Sequence, residues 1–266
     1  MNNIALGRYI PGDSIIHRLD PRIKICCMLL LLITIFIPTG FYGYLLISGI
    51  SLLALSIAKL SISFVLKALR PMMIMMIMLM VINILVVKTG NVLINIYGFE
   101  IYDGAVFQTL YIFIRLVLMI LITTILTATT KPLDLTLGIE DLLEPFARFK
   151  VPAHEIAMMI SIAIRFIPTL IEETQRIMKA QASRGVDLQE GKFKEKIMAI
   201  LSLIVPLFVS SFQRAEDLAN AMEARGYVPD AKRTRYKQLH VRVSDIFVLV
   251  LVFMILAGMI VMAIIL

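Results

Sequence analysis

The sequence predicts an all-α membrane protein of about five transmembrane helices, with two long amphipathic helices set ahead of the last span. Three observations carry this. Hydrophobic residues fill 59% of the 266 positions and charged ones 17%, a balance that a soluble domain of this length could not cover with polar surface. Apolar runs at about Ile23–Ile37, Phe41–Ala58, Met72–Val87, Ala105–Thr127 and Ile246–Leu266 reach or approach the roughly 20 residues a crossing helix needs. Between the fourth and fifth runs the chain is charged, and its apolar residues recur at helical spacing.

The formal net charge of +7 reads in such a chain as loop charge on the cytoplasmic side, and no DNA- or RNA-binding signature accompanies it. Nucleic acid is therefore not an expected partner; the lipid bilayer is. Cys26 and Cys27 are adjacent inside an apolar run, which suits small packing residues and not a disulfide framework or metal knuckle. Asp13, His17, Arg18, Asp20 and Arg22 precede the first run with no cleavage-like site after it, so that run is expected to be retained and not removed as a signal peptide.

Arg18, Arg22 and Lys24 lie at the start of the first run, and Lys59, Lys67 and Arg70 between the second and third, while the loop between first and second is uncharged. The positive-inside rule places the N-terminus in the cytoplasm. Lys88–Asp103 then faces outward, and Val92–Ile96 with Phe99–Tyr102 around Gly98 has the pattern of a small hairpin. The fourth run returns the chain to the cytoplasm near Lys131. Pro132, Pro145 and Pro152 break the next stretch into short pieces, and the chain stays cytoplasmic or interfacial to Asp245.

Within that stretch, Ile156–Ala182 sets Ser161, Arg165, Thr169, Glu172, Arg176 and Lys179 on one face and Ile160, Ile164, Ile167, Ile171 and Met178 on the other. This is an amphipathic helix, and Arg165 with the polar stripe argues against an ordinary span. A second helix, Lys194–Ala224, is apolar almost all round from Ile197 to Val209 and amphipathic afterwards, so its first half can dip into the bilayer. Each helix has a proline followed seven residues later by Gln-Arg, Pro168 with Gln175-Arg176 and Pro206 with Gln213-Arg214. The spacing onward differs, so the likeness does not amount to a duplication. The chain divides into an N-terminal membrane domain, 1–130, an interposed domain, 131–244, and the last transmembrane helix, 245–266.

Both long helices end in Arg-Gly: Ala182-Ser-Arg-Gly185 and Glu223-Ala-Arg-Gly226. Glycine accepts the left-handed conformation after a helix, and arginine suits the negative end of the helix dipole, so ordinary helix termination accounts for each end alone. Two exposed arginines at rigid tips also suit insertion into acidic grooves of a partner, through forked, charge-assisted contacts with carboxylates.

Before the first span the chain reads Gly7-Arg-Tyr-Ile-Pro-Gly-Asp-Ser14 and His17-Arg-Leu-Asp-Pro-Arg-Ile-Lys24. Pro-Gly-Asp-Ser makes a turn, and Asp20-Pro21 a helix start. The segment resembles the N-terminal signature of the transmembrane T component of energy-coupling factor (ECF) transporters, the membrane scaffold of a class of bacterial vitamin importers. The two Arg-Gly ends resemble that family's paired Ala-Arg-Gly motifs on its coupling helices, and Tyr102-Asp-Gly-Ala-Val106 leading to Arg115 resembles its pattern entering the fourth span. One departure is Ser183 where the motif has alanine, which leaves the arginine and glycine roles intact.

The resemblance implies a complex of one T component, two homologous ABC ATPase subunits and one substrate-binding S component, in the bacterial cell membrane, with the N-terminus and a coupling domain in the cytoplasm. Ser183, Arg184, Gly185 and Ala224, Arg225, Gly226 are then the ATPase-docking residues. ATP and Mg are used by the partner ATPases, and this chain itself holds no cofactor. The absence of a Gly-rich Lys-Ser/Thr phosphate loop agrees with a chain that is not the enzyme. Met72–Met80 is dense in flexible methionine, either lipid-facing filler or an adaptable partner surface, so Met75, Met76 and Met80 are candidate S-component contacts. Arg115 is another, because a mid-span arginine faces protein, water or a partner; an internal pairing is the alternative for it and for Asn83.

Two other classes stay open. An intramembrane enzyme acting on lipids would use Asp13, His17, Asp20 and Arg22 as its polar cluster, although His17, His154 and His240 are scattered without metal-ligand spacing. A self-sufficient secondary transporter would need paired acids, broken helices and matched halves that the spans do not display.

Overall fold

The computed structural model describes residues 9–96, 99–145, 153–185, 193–228 and 238–265. Gly7 and Arg8 of the N-terminal signature, Gly98 of the hairpin, Pro152 and the basic stretch Lys232–Lys237 lie outside the described residues. The chain divides into two units, one of Met1–Ala153 with Leu239–Leu266, the other His154–Gln238.

The first unit begins with a single turn, α1 (Ile15–Arg18), capped by Ser14, and continues into α2 (Pro21–Ile35). Asp20 caps α2 by accepting the Arg22 N–H at 3.0 Å, and Pro21 takes the first helical position, where its missing N–H costs nothing. α3 (Gly40–Ile57) returns antiparallel after a tight turn. α4 (Ile62–Leu69) and α5 (Met73–Val86) are joined by a 3-10 turn at Arg70–Met72, where Pro71 interrupts the helical hydrogen bonds. From sequence alone α4 reads as charged loop. Its Ile62, Val65, Leu66 and Leu69 follow helical spacing, and Val65 is buried, so the lysine and arginine between spans mask a short amphipathic helix.

The hairpin forms as expected: β1 (Val92–Ile96) pairs antiparallel with β2 (Phe99–Tyr102), Ile96 opposite Phe99, with a bulge between Val92 and Ile94. The Asp103 N–H donates to the Asn91 carbonyl at 3.0 Å, and the Asp103 carboxylate accepts the Asn91 N–H at 2.9 Å, closing the hairpin onto α6 (Asp103–Thr129). α7 (Pro132–Leu143) and α10 (Val243–Ile265) complete the unit.

α6 is the hub. Its Leu118 and Ile122 pack with Ile35, Tyr44, Ile47 and Met259, while Leu121 and Ala128 pack with Leu55, Ala58, Leu60 and Val65. Hydrocarbon outside gives such contacts no hydrophobic advantage, so close packing and internal hydrogen bonds must hold the helices together. α5 has no buried residue and lies along α6, pinned by Asn83, whose amide donates to Thr109 Oγ1 at 3.1 Å.

The second unit consists of α8 (Ala153–Ser183) and α9 (Phe193–Ala224), each with an internal proline, Pro168 and Pro206. Gln181 reaches the Ser202 carbonyl at 3.3 Å and Glu173 accepts from Arg214 at 3.3 Å, so the two helices run antiparallel.

Among the described residues, six helical stretches are long and apolar enough to cross a membrane: Gly40–Ile57, Ile62–Val86, Asp103–Thr129, His154–Ser183, Lys196–Ala224 and Val243–Ile265. The all-α membrane class holds, and about five spans is an approximate count. The six include both amphipathic helices, because Arg165 is the only charge from Ile156 to Ile171 and Ile197–Phe212 has none. They omit α2, whose 15 residues make about 22 Å at 1.5 Å per residue.

Candidate functional site

The two Arg-Gly ends have the same local architecture. Gly185 and Gly226 have φ of +81° and +74°, the left-handed region that L side chains adopt at a cost. The Gly185 N–H donates to the Ala182 carbonyl at 3.0 Å and the Gly226 N–H to the Glu223 carbonyl at 2.8 Å; Tyr227 N–H adds a bond to Met222 at 2.9 Å. The second end is thus a complete Schellman cap. A Cβ on either glycine would meet nothing within 4 Å, so glycine is required there by backbone conformation and not by crowding. Arg184 and Arg225 occupy the cap position of each helix and are exposed.

Because α8 and α9 are antiparallel and Gln181 meets Ser202, Arg184 lies just beyond the Ser202 level toward the start of α9, while Arg225 lies at the far end of that helix. The two tips are separated by roughly 35 Å along α9. Ser183, the departure from alanine, donates its hydroxyl to the Lys179 carbonyl at 3.0 Å. Its polarity is spent within its own helix, so the tip is altered less than a serine there would suggest.

The N-terminal signature forms a polar knot inside the first unit. Arg18 grips Asp13 with two 2.7 Å hydrogen bonds at the surface, and that hydrogen bond together with the arginine charge holds the Asp13 carboxyl below its ordinary range. His17 Nε2 donates to the Ile10 carbonyl at 3.2 Å, which can only accept, and Nδ1 lies in hydrogen-bond contact with Ser14 Oγ at 2.7 Å. Arg22 forms an ion pair with Asp141 of α7 at 2.7 Å and donates to the Leu239 carbonyl at 3.2 Å. Lys24 donates to the carbonyls of His17 and Thr129 and to Thr130 Oγ1 at 3.1–3.3 Å, capping the end of α6. The residues that would have formed a catalytic cluster, Asp13, His17, Asp20 and Arg22, each have a structural partner.

Sequence pattern alone does not single out Asp245. It is fully buried at the start of α10; Oδ1 accepts the Asp20 N–H at 3.2 Å and Oδ2 the Arg242 N–H at 2.6 Å. The second contact is the reach-back half of a capping box. An acid three residues into an otherwise uncharged span is the one signal that could have found it.

Arg115 turns to Tyr44, whose hydroxyl accepts from Nη2 at 2.8 Å and Nε at 3.2 Å, and its guanidinium lies 5.3 Å from the centre of the Phe36 ring. Met76 and Met80 line a groove of about 260 Å³ between α5 and α6 with Val106, Leu110 and Phe113. Met75 is exposed outside the groove. The four candidate S-component residues therefore do not share one surface.

A family model described as "Cobalt transport protein" (CbiQ) matches residues 12–236. Curated relatives named "Energy-coupling factor transporter transmembrane protein EcfT" include those of Bacillus subtilis, 44% identical over 90% of both chains, and Lactococcus lactis subsp. cremoris, 45% identical over 90% of both. That of Streptococcus equi subsp. equi is 42% identical over 95% of this chain and 94% of its own. The matched region takes in Asp13–Lys24, Arg115 and both Arg-Gly helix ends. This chain belongs to the EcfT family of energy-coupling factor transporter transmembrane proteins, a multi-pass membrane component of a transporter and not itself an enzyme.

Proposed function

We propose that the chain is the scaffold and coupling subunit of an ECF-type ABC importer, passing ATP-driven motion from two ABC ATPase subunits to an S component that carries a vitamin or other micronutrient. The observation that carries this reading is the matched pair of exposed cap arginines, Arg184 and Arg225, each held by a left-handed glycine at the tip of a long helix. The rigid cap fixes where each guanidinium stands, and a distance of roughly 35 Å suits two partner subunits better than one. ATP and Mg stay with the ATPases. Residues 131–244 serve as the coupling domain on the cytoplasmic side of the bacterial cell membrane, where loop charge also places the N-terminus.

The S component meets the methionine-rich face of α5, with Met76 and Met80 in the groove and Met75 beside it. Flexible thioethers on a helix with no buried residue can repack against more than one partner surface.

The reading is tested by co-purifying the ATPases with Arg184→Glu, Arg225→Glu and the double variant. Each single change weakens assembly and the double abolishes it, since reversing an interfacial charge strands its partner at a cost of several kcal/mol. Retention of a full, active complex by the double variant overturns the docking assignment.

A further inference from the structure

The second unit, His154–Gln238, is joined to the first at two points, after Ala153 and before Leu239. One side chain holds both connections. Arg22 Nη2 pairs at 2.7 Å with Asp141 Oδ2, in the last turn of α7 as the chain leaves, and donates at 3.2 Å to the carbonyl of Leu239, the first residue after it returns. A terminal guanidinium nitrogen carries two hydrogens, so it can make both bonds at once. The ion pair is shielded, the Arg22 side chain being 29% exposed and that of Asp141 8%, so losing one partner strands the other.

Arg22 is an unfavourable choice for its own helix. It follows Pro21 in the first turn of α2, where the positive end of the helix dipole disfavours a cation, so its partners must offset that cost. Other contacts bring the same two segments to the same turn. α7 comes so close at Gly138 that a Cβ there would stand 3.2 Å from Pro21 Cβ and 3.3 Å from the Arg22 backbone nitrogen. The returning chain is held by Asp245, whose carboxylate accepts the N–H groups of Asp20 and Arg242. At its other end α2 reaches the hub: Ile35, fully buried, packs with Leu118 and Ile122 of α6. Both connections thus meet the start of one 15-residue helix, and a packed helix can carry a displacement from end to end.

We infer that Arg22 is a positioning residue for energy coupling. By tying the outgoing and returning connections to each other and to α2, it turns movement of the second unit into movement of α2 and α6 and not into slack between the units. Without it, α7 and the segment from Leu239 to Asp245 move independently, and work done on the second unit is dissipated. The inference rests on the reading of this chain as a coupling subunit, and it names the side chain by which that coupling enters the first unit.

The test has two arms. In the first, the full chain alone in detergent is followed by hydrogen exchange and mass spectrometry. Arg22→Gln speeds exchange at the end of α7 and at Leu239–Asp245 together, by about tenfold, the factor expected for a lost hydrogen bond to a charged group. Faster exchange in one segment only, or in neither, overturns the inference. In the second arm, the chain is reconstituted in vesicles with its ATPases, an S component and that component's radiolabelled vitamin, and ATP hydrolysed is compared with vitamin taken up. Arg22→Gln keeps hydrolysis while uptake falls, so the ratio rises at least about fivefold, the lower end of typical coupling between sites. Arg22→Lys, which keeps the charge and three donors, brings the ratio back toward that of the unaltered chain. A merely structural role lowers hydrolysis and uptake in step, and an unchanged ratio overturns the inference. Where Arg22→Gln alone does not fold, Arg22→Gln with Asp141→Asn, which leaves no stranded carboxylate, takes its place in both arms. Failure of the unaltered chain to bind ATPases sinks the proposed function but leaves the exchange result standing, whereas an unchanged ratio in an assembled complex sinks this inference alone.

Discussion

Gln181 of α8 donates its side-chain amide to the carbonyl of Ser202, the carbonyl that Pro206, lacking an N–H, leaves without a helical donor in α9. The proline thus creates the acceptor by which α8 holds α9. Gln181→Met removes the donor, and the net loss is about 1 kcal/mol. In a Pro206→Ala background the alanine N–H can satisfy Ser202 within α9, so the same change costs less. Thermal unfolding of the four proteins of this cycle measures the coupling, and equal costs in both backgrounds would show that the bond contributes nothing.

Gly185 and Gly226 separate conformation from space. With φ of +81° and +74° and nothing within 4 Å of an added Cβ, the penalty for Gly226→Ala is that of the left-handed region, about 1–2 kcal/mol. Asparagine, larger but tolerant of that region, restores part of the loss. The order expected for ATPase binding in pull-down titrations is therefore Gly, Asn, Ala, Val. An order that follows side-chain size, with Asn below Ala, would mean that the partner packs against the glycine directly.

Four of the five expected spans were legible in the sequence because a long apolar run has few uses besides crossing a bilayer, and the hairpin because Val92, Ile94 and Ile96 alternate ahead of a glycine. The helix tips were legible because Arg-Gly states its own capping chemistry. α4 was not, since Lys67 and Arg70 drew attention from the apolar residues beside them. Depth was harder still: α8 has one charge between Ile156 and Ile171 and α9 has none between Ile197 and Phe212, so length and composition admit them as spans while the polar stripe argues otherwise. Contacts between distant residues were out of reach. Asp20 and Asp245 are 225 positions apart, and nothing local to either announces the other. The Gln181 bond needed the missing proline N–H to face α8, which spacing alone cannot say.

Asp245 joins the two ends of the first unit, its two oxygens accepting the buried Asp20 N–H and the part-buried Arg242 N–H. Asn keeps one acceptor and Ala keeps neither, and each stranded N–H costs about 1–3 kcal/mol. Melting temperature in detergent should fall modestly for Asp245→Asn and much further for Asp245→Ala. Equal falls would mean that the carboxylate charge, and not its acceptor count, is what the site uses.

Arg115 offers the sharpest test of inside against outside. Its guanidinium is held by the Tyr44 hydroxyl at 2.8 and 3.2 Å and lies over Phe36, which ties the middle of α6 to the paired ends of α2 and α3. An arginine in a span is expensive unless so occupied, and Tyr44→Phe takes away the acceptor without changing the ring. If the residue acts within the chain, Tyr44→Phe and Arg115→Gln each lower the stability of the T protein alone. Their effects then fail to add, because both remove the same bond. A contact with the S component predicts the opposite division: Arg115→Gln weakens S-component capture with stability nearly unchanged, and Tyr44→Phe leaves capture alone. The internal geometry favours the first outcome, and the proposed reading gives the partner contact to the Met76–Met80 groove without it. Capture by Met76→Ala with Met80→Ala is therefore expected to fall while Arg115→Gln captures normally once its stability loss is accounted for.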